Sequence, residues 1–373
     1  MIVTLTANPS LDRTVQLPAA LEHGGVNRIA TVTSQAGGKG LNVAWVLAAA
    51  GMEATAVLPV GPGPLGEALT AMTEGAGALH AGANTGVAGA GTGTPGAGAV
   101  RPARSLMRVR RTEVRGVTRV NTAITEPDGT TTKLNEAGAA LTSQELEVIE
   151  AALLEQASRP EVSWVVLSGS LPPGAPVDWY AYLVRALRSR APQVRIAVDT
   201  SDAALEALAQ AWPEAAPDLL KPNGYELGQL TGLGQEKAWA LEQDVAAGDH
   251  TGVIDALARL RASGVGQVLA SLGAAGAVLA TPEGTWHASA PQVRVRSTVG
   301  AGDSCLAGYL LGQVRGDGPG RCLASAVAYG SAAASLPGTA LPGPGDLSEV
   351  MRMDGLVTGR PGVRELPVVT RLA

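Results

Sequence analysis

The 373-residue sequence has no phenylalanine, and six tryptophans and five tyrosines are its only large aromatic residues. A core built from it must therefore be packed mainly by Val, Leu, Ile and Ala. Cysteine is scarce too. Cys305 and Cys322 lack CxxC and zinc-ligand spacings, so neither a disulfide framework nor a structural metal is indicated. Glycine (48) and proline (24) stay below the share typical of disordered chains. The composition excludes a coiled coil and a collagen and predicts a folded protein.

The sequence also has no excess of positive charge, because it contains 28 Lys and Arg and 33 Asp and Glu, which gives a net charge of −5. A dedicated nucleic-acid binder normally has a basic domain. The N-terminus lacks the basic region and apolar run of a signal peptide, and glycine and proline interrupt the uncharged stretch 322–345. We therefore expect a soluble, cytoplasmic protein with neither a nucleic-acid nor a membrane partner.

Short β-branched runs alternate with helical patterns along most of the chain. The predicted strands are residues 2–6, 55–60, 164–168, 196–199, 268–271 and 277–280. The predicted helices are 142–159, 177–190 and 251–264, and the first begins with the capping-box pair Thr142 and Glu145. This alternation predicts an α/β fold with a mostly parallel sheet between layers of helices. Such sheets bind ligands beyond the carboxyl ends of their strands.

Residues 11–33 and 105–134 depart from this alternation and predict a small antiparallel sheet inserted into the α/β body. Between them, 75–104 is rich in glycine and alanine, which predicts a flexible insertion. Seven arginines lie within 101–119. They are typical of charges that protect a sheet edge, and a nucleic-acid patch is the alternative.

The segment STVGAGDS at 297–304 runs into a helical pattern and is the strongest chemical signal. Gly300, Ala301 and Gly302 at a helix start would leave backbone N–H groups pointing at an anion, with the positive end of the helix dipole behind them. A carboxylate at Asp303 beside such a site fits a general base that acts on an incoming hydroxyl. The alternative is that Asp303 only caps the helix.

Two further segments carry candidate ligand contacts. AGGKGLN at 36–42 opens a helix, and Lys39 and Asn42 lie three residues apart on one face of it. Gly38 allows a ligand to approach the backbone closely, and Asp12 after the first strand could accept sugar hydroxyls. A plain turn with a helix cap is the alternative for both segments.

In KPNGYE at 221–226, Asn223 and Glu226 bracket a helix start, and Glu226 could orient a water on Mg²⁺. Its alternative is an acidic residue that only meets the helix dipole. The glycine-rich turn 271–276 suits nucleotide phosphates, although an ordinary hairpin has the same composition.

Taken together, and in their order along the chain, these segments resemble the PfkB (ribokinase-like) family of sugar kinases. GGKGLN at 37–42 and STVGAGDS at 297–304 match the two signatures of that family, and LSGSLPPG at 167–174 and KPNxxE lie in order between them. The resemblance covers about residues 1–350.

Three segments are similar to the phosphosugar branch of that family, and within it to 1-phosphofructokinases: TANPSLD at 6–12, TRVN at 118–121 and GTTTKLNEAG at 129–138. The insertion at 75–104 and the tail beyond Asp354 depart from the pattern.

The resemblance implies a ribokinase-like three-layer sandwich. Its α/β body would comprise 1–10, 34–104 and 135–373, and an antiparallel β-sheet lid would comprise 11–33 and 105–134. The implied function is ATP-dependent phosphorylation of a phosphosugar. The favoured reaction converts D-fructose 1-phosphate to fructose 1,6-bisphosphate. Tagatose-6-phosphate kinase and 6-phosphofructokinase are the alternatives, and a catalytically silent sugar-phosphate sensor is the non-enzymatic one. A homodimer through the lid is also implied.

Roles follow from the resemblance residue by residue. Asp303 would be the catalytic base, and the amides of Gly300, Ala301 and Gly302 would hold the γ-phosphate. Residues that would bind the sugar phosphate are Asp12, Gly38, Lys39, Asn42, Arg119 and Ser170. Residues that would line the side of ATP and Mg²⁺ are Lys221, Asn223, Glu226, Ser271, Gly273, Gly276 and Ser297. The family often uses a monovalent cation such as K⁺, whose ligands here would start near Ser297 and Val299.

Overall fold

A computed structural model describes residues 1–75, 106–347 and 367–373. The flexible insertion predicted at 75–104 lies, apart from Gly75, outside the described residues. Most of the tail beyond Asp354 does so as well.

Strands and helices alternate through the described chain. In order they are β1 (Ile2–Thr6), β2 (Ser10–Gln16), β3 (Thr31–Gly37), α1 (Lys39–Ala49), β4 (Ala54–Val60), α2 (Pro64–Gly75), β5 (Met107–Glu113), β6 (Arg119–Thr125), β7 (Thr131–Asn135), α3 (Ser143–Ala157), β8 (Trp164–Ser168), α4 (Trp179–Arg190), β9 (Arg195–Asp199), α5 (Asp202–Gln210), β10 (Leu219–Leu220), α6 (Gly224–Leu230), α7 (Gln235–Ala246), α8 (Thr251–Ala262), β11 (Gln267–Ser271), β12 (Ala277–Thr281), β13 (Gly284–Ala288), α9 (Ala301–Arg315), α10 (Pro319–Ser335) and β14 (Val369–Arg371).

The central sheet has the strand order β14-β13-β12-β11-β10-β9-β8-β1-β4-β5. Its strands from β11 to β5 are parallel, and β12, β13 and β14 add antiparallel pairs at one edge. This confirms the mostly parallel sheet predicted from the alternation of strands and helices. All six predicted strands are present.

Alternate residues of the central strands pack into two separate apolar cores. Val3 and Leu5 of β1 join the core that contains α3, α4 and α8, whereas Ile2 joins the core that contains α1, α9 and α10. Because side chains alternate across a strand, each face of the sheet is covered by its own layer of helices. The three-layer sandwich is thus confirmed, and its cores contain mainly Val, Leu, Ile and Ala.

The capping box predicted at the start of α3 is present. The N–H of Glu145 donates to Thr142 Oγ1 at 3.3 Å, and Glu145 Oε2 accepts from the N–H of Thr142 at 2.7 Å. These bonds satisfy two of the amides that a helix start leaves free.

A second, four-stranded sheet, which we call the lid sheet, has the order β3-β2-β6-β7. β2 pairs antiparallel with β3, and β6 pairs antiparallel with β7, while the central β2–β6 pairing is parallel. That parallel register places Ser10 beside Arg119 and Asp12 beside Asn121. Residues from two distant chain segments therefore share one face of the lid sheet.

The predicted lid boundaries were wrong at β5, which pairs in parallel with β4 in the central sheet instead. β5 is the edge strand of that sheet, so one side of the strand remains accessible to solvent. Polar and apolar residues therefore alternate in β5 as they do in a strand of the lid sheet. Its arginines do shield a sheet edge. Arg110 pairs with Glu155 and Arg111 pairs with Glu74, both at the surface. Residues 34–37 belong to β3 of the lid sheet rather than to the body.

The end of the chain adds β14 to the outer edge of the central sheet, next to β13. Within the described ranges, none of the helices has the length and apolarity needed to cross a bilayer.

Candidate active site

The carboxyl ends of the central strands and the inner face of the lid sheet enclose one cavity of about 690 Å³, here called the first cavity. Thr6, Ser168 and Asp199, the last residues of β1, β8 and β9, line one side of it. The lid sheet lines the other side with Ser10, Asp12, Arg119, Asn121 and Asn135. The cavity lies where a parallel sheet is expected to bind its ligand.

Asp303 lies in the first turn of α9 and is 6% exposed. Helix α9 starts after Gly300, whose φ of +76° is a left-handed conformation that favours glycine. Asp303 Oδ2 accepts a 2.8 Å hydrogen bond from Asn42 Nδ2 of α1. Burial, followed by the charge of Asp199, raises the pKa of Asp303 to about 6, although Lys39 and the Asn42 hydrogen bond oppose the shift. The carboxylate is therefore ionised at neutral pH yet basic enough to accept a proton.

Two lysines and one buried carboxylate form an ion-pair chain across the floor of the cavity. Asp199 Oδ1 lies 3.0 Å from Lys39 Nζ, and Asp199 Oδ2 lies 3.2 Å from Lys221 Nζ. Asp199 is 1% exposed and Lys221 is 4% exposed. Burial alone would lower the pKa of Lys221, but the charge of Asp199 reverses this and raises it. Both lysines therefore stay charged and present cationic groups to the cavity.

Arg119 of β6 reaches into the cavity from the lid sheet. Its Nη2 donates to the carbonyl of Asn8 at 2.8 Å, and its Nη1 donates to the carbonyl of Glu136 at 3.2 Å. Its Nε has no hydrogen-bond partner among the described residues. Burial lowers the pKa of Arg119, while Asp12 and Glu136 act in the opposite direction. The guanidinium is thus held in place by two hydrogen bonds, and its buried Nε–H makes none to a described residue.

A polar network fixes Asp12 on the same face of the lid sheet. Asp12 Oδ1 accepts from Ser10 Oγ at 2.7 Å and from Asn121 Nδ2 at 3.1 Å. A side chain at Gly37 would collide with the Asp12 carboxylate and displace it. An anchored carboxylate in this position can accept hydrogen bonds from ligand hydroxyl groups.

At the other end of the cavity, Asn223 and Glu226 form a capping box at the start of α6. The N–H of Glu226 donates to Asn223 Oδ1 at 2.8 Å, and Glu226 Oε2 accepts from the N–H of Asn223 at 2.9 Å. The structural alternative for Glu226 was contact with the helix dipole alone, and the pair in fact forms a full capping box. Glu226 Oε1 makes no hydrogen bond to a described residue, and burial raises the pKa of the carboxyl. That oxygen can still bind a metal-held water.

A second cavity of about 720 Å³ adjoins the first one. Its walls are mainly small and apolar, with Ala290, Val293, Val295, Val327 and Ala334 among them. The two cavities share four lining residues, which are Ser271, Gly273, Thr298 and Gly302. This arrangement suits a ligand with a flat apolar ring in the second cavity and an anionic chain that reaches the first.

Most predicted site residues come together in the first cavity. They are Asp12, Gly38, Lys39, Asn42, Arg119, Ser170, Lys221, Asn223, Glu226, Ser271, Gly273, Gly300, Gly302 and Asp303. Gly276 and Ala301 line only the second cavity, and Ser297 lines neither. The Ser297 hydroxyl instead accepts from the N–H of Val299 at 3.2 Å. The turn after Ser271 is indeed a hairpin connection between β11 and β12, yet it still lines both cavities.

Sequence reasoning missed several lining residues, and Asp199 is the most important. It ends a strand that was predicted, so the rule for carboxyl ends could have found it. Asn8, Ser10 and Asn135 stood inside quoted segments without an assigned role. Glu242 of α7 had no sequence signal at all.

Among the described residues, no group of three or more His, Cys, Asp or Glu side chains is arranged to hold a metal ion.

A model described as pfkB family carbohydrate kinase matches residues 5–79 and 107–344. The chain is 35% identical to a 1-phosphofructokinase of Rhodobacter capsulatus, over 94% of this chain and 96% of that protein. It is 32% identical to a 1-phosphofructokinase of Escherichia coli strain K12, over 90% of this chain and 91% of that protein.

Solved structures match over nearly the whole chain. Phosphofructokinase-2 from Escherichia coli in complex with substrates and products aligns with a TM-score of 0.74 and 27% identity, covering 95% of this chain and 99% of that one. The same protein has been solved in complex with potassium and in a tetrameric inhibited form. Ribokinase from Arabidopsis thaliana, complexed with ribose and ATP, aligns with a TM-score of 0.62 and 20% identity over 94% of this chain and 98% of that one, a likeness of fold alone.

Proposed function

The chain belongs to the pfkB family of carbohydrate kinases, and from that membership we propose that it is a 1-phosphofructokinase. It would transfer the γ-phosphoryl group of ATP to D-fructose 1-phosphate and release fructose 1,6-bisphosphate and ADP. The relatives named 1-phosphofructokinase support this substrate.

One structural observation carries the proposal. The buried Asp303 carboxylate, held by Asn42, lines the same cavity as Gly300 and Gly302 at the helix start and Arg119 of the lid sheet. A base, an anion site and a separate cation for a second phosphate are the three parts that phosphoryl transfer to a phosphosugar needs.

In this proposal, Asp303 accepts the proton of the attacking hydroxyl group. The hydroxyl oxygen then bonds to the γ-phosphorus of ATP, and the bond from that phosphorus to the bridging oxygen of ADP breaks. The backbone N–H groups at Gly300, Ala301 and Gly302 would stabilise negative charge on the transferring group. Asp12, Gly38 and Asn42 would hold the sugar so that its free hydroxyl meets Asp303.

Arg119 would bind the phosphate already present on the sugar, since its planar guanidinium matches two phosphate oxygens. The carbonyls of Asn8 and Glu136 hold it toward the cavity. Lys39 is the second cation on this side, and its ion pair with Asp199 keeps it charged.

ATP would place its base in the second cavity and its phosphates across Gly273 toward Gly302. The family uses a divalent cation with ATP, and we infer that it is Mg²⁺. The free Oε1 of Glu226 fits a cation that keeps its waters. When bound, Mg²⁺ would neutralise phosphate charge. Lys221, Asn223, Ser271, Gly276 and Ser297 complete the proposed nucleotide side.

We also infer a K⁺ requirement, with ligands that start near Ser297 and Val299. The potassium complex of Escherichia coli phosphofructokinase-2 supports this. Replacing K⁺ with Na⁺ should lower kcat, and equal rates in the two salts would contradict the inference.

A panel of sugar phosphates assayed for ADP release tests the substrate. Fructose 1-phosphate should give the highest kcat/KM, ahead of fructose 6-phosphate and tagatose 6-phosphate. A preference for either 6-phosphate would move the protein to 6-phosphofructokinase or tagatose-6-phosphate kinase activity. Sugar-phosphate binding without ADP release would make it a sensor. The Asp303→Asn variant controls for contaminating kinases, because it should bind the sugar phosphate and release almost no ADP.

We infer a homodimer formed through the lid sheet. By register, Val32 and Leu134 lie on the face opposite Asp12 and Asn121, and they are 50% and 56% exposed. Exposed apolar side chains on one face are typical of an interaction surface. Light scattering should give a dimer, and Leu134→Glu should produce monomers. A tetramer, as reported for one form of Escherichia coli phosphofructokinase-2, would contradict the proposal.

We place the protein in the cytoplasm, where its proposed substrate ATP is found. The buried thiols of Cys305 and Cys322, both free, are compatible with that reducing compartment.

A further inference from the structure

The first cavity is lined by more carboxylates than cations. Its acidic residues are Asp12, Asp199, Glu226, Glu242 and Asp303, and its basic residues are Lys39, Arg119 and Lys221. Both lysines are already paired with Asp199. Near the end of the cavity, neither Glu226 nor Glu242 forms an ion pair with a cation of the described residues, and only Glu226 is influenced by the two lysines.

Glu242 projects from α7 to the point where the nucleotide phosphates would pass. Its Oε2 lies 3.1 Å from the position that a Cβ on Gly273 would take. Its Oε1 lies 3.1 Å from the corresponding position on Gly224, at the start of α6. The carboxylate thus lies between the glycine turn shared by both cavities and the helix that carries Glu226.

The fold gives this carboxylate no structural task. Glu242 makes no hydrogen bond or ion pair to any described residue, and burial alone raises the pKa of its carboxyl. A partly buried charge without a partner costs free energy. A neutral side chain would be more stable there, so the acid at 242 calls for a functional explanation.

We propose that Glu242 is a specificity residue that makes the site select ATP complexed with a divalent cation over metal-free ATP. The inference rests on the proposed function, because it needs ATP phosphates to cross Gly273. Metal-free ATP carries more negative charge than its metal complex, so Glu242 repels it more strongly. The metal complex approaches the same carboxylate with much of that charge neutralised.

Neutralising Glu242 should therefore tighten the binding of metal-free ATP selectively. We expect Glu242→Gln to lower the Kd of ATP in a chelator about fivefold, which corresponds to about 1 kcal/mol. The Kd of ATP in excess Mg²⁺ should change by less than about twofold. Raising the ionic strength should shrink the effect on metal-free ATP, because salt screens the repulsion.

Isothermal titration calorimetry without sugar phosphate measures both constants, since no phosphoryl acceptor is present. Asp244→Asn is the matched control. It makes the same change of charge on the same helix, but Asp244 is exposed and does not line the cavity. Glu242→Ala provides a second neutral variant, and both Glu242 variants should melt at the wild-type temperature or above it.

Unchanged selectivity in the Glu242 variants would overturn the proposal. Weaker binding of the magnesium complex with unchanged binding of metal-free ATP would also overturn it, because Glu242 would then attract the metal rather than repel the nucleotide. An equal gain in affinity for metal-free ATP in the Asp244→Asn control would mean that the effect comes from the overall charge of the protein. That result would also contradict the role proposed for Glu242. If the wild type binds no ATP in either form, the proposed function itself fails, which is a different result.

Discussion

Asn42 Nδ2 donates a 2.8 Å hydrogen bond to Asp303 Oδ2 across 261 residues of sequence. The bond joins the first turn of α1 to the first turn of α9, so the two signature segments of the chain meet at one carboxylate. It fixes the position of the proposed base and stabilises its ionised form, which opposes the effect of burial on the pKa of Asp303.

Replacing Asp303 with asparagine should lower kcat by about 10²–10⁴, because the variant keeps the shape of the side chain but loses the base. The KM for ATP should change little. Steady-state kinetics on fructose 1-phosphate measure both constants. A loss below tenfold would return Asp303 to the capping role that the sequence also allowed.

The pH dependence of kcat should show an acidic limb. Burial raises the pKa of Asp303 to about 6, and only the ionised form can accept a proton. Activity should therefore be nearly constant above pH 7 and fall tenfold per unit well below pH 6. Asn42→Ala removes a hydrogen bond that lowers this pKa, so its limb should move to higher pH.

Asn8→Ala is the matched control for that shift. Asn8 also lines the cavity, but its side chain donates to the carbonyl of Ala137 rather than to Asp303. Its acidic limb should stay at the wild-type pH. An unmoved limb in Asn42→Ala would show that the hydrogen bond does not tune the base.

Asp199 should matter for stability as well as for activity. Asp199→Asn leaves the buried Lys221 without its ion-pair partner, which typically costs about 3–5 kcal/mol of unfolding free energy. Urea unfolding measures this loss. The ion pair of Asp317 and Arg321, whose side chains are 25% and 75% exposed, offers a comparison, and Asp317→Asn should cost less than about 1 kcal/mol. Equal losses in the two variants would mean that the Asp199 pairs add no special stability.

The sequence predicts the core of the site well where function depends on local pattern. Glycines followed by an acid at a helix start identify Asp303, and the spacing of Thr142 and Glu145 identifies a capping box. Hydrophobic periodicity and helix capping depend on residues that are close together in the sequence. A single segment therefore contains all the information needed to predict them.

What the sequence could not reveal depends on pairing between distant segments. The lysine that pairs with Asp199 from α1 is 160 residues away along the chain. The alternating pattern of β5 fits an edge strand of either sheet, and only its register with β4 decides which. Glu242 looks like one more charge on a helix surface until α7 is placed against the glycine turn.

Arg119 decides the substrate class, because it is the cation that the lid sheet presents to the first cavity. A charge-assisted hydrogen bond to phosphate is worth about 1.5–3 kcal/mol, so Arg119→Ala should raise the KM for fructose 1-phosphate about 10- to 150-fold. The KM for ATP should hardly change. Arg119→Lys keeps the charge without the planar fork and should recover only part of the loss. Equal effects on both substrates would mean that Arg119 holds the lid through Asn8 and Glu136. If free fructose were phosphorylated as well as its 1-phosphate, Arg119 would have no phosphate to bind and the phosphosugar assignment would fail.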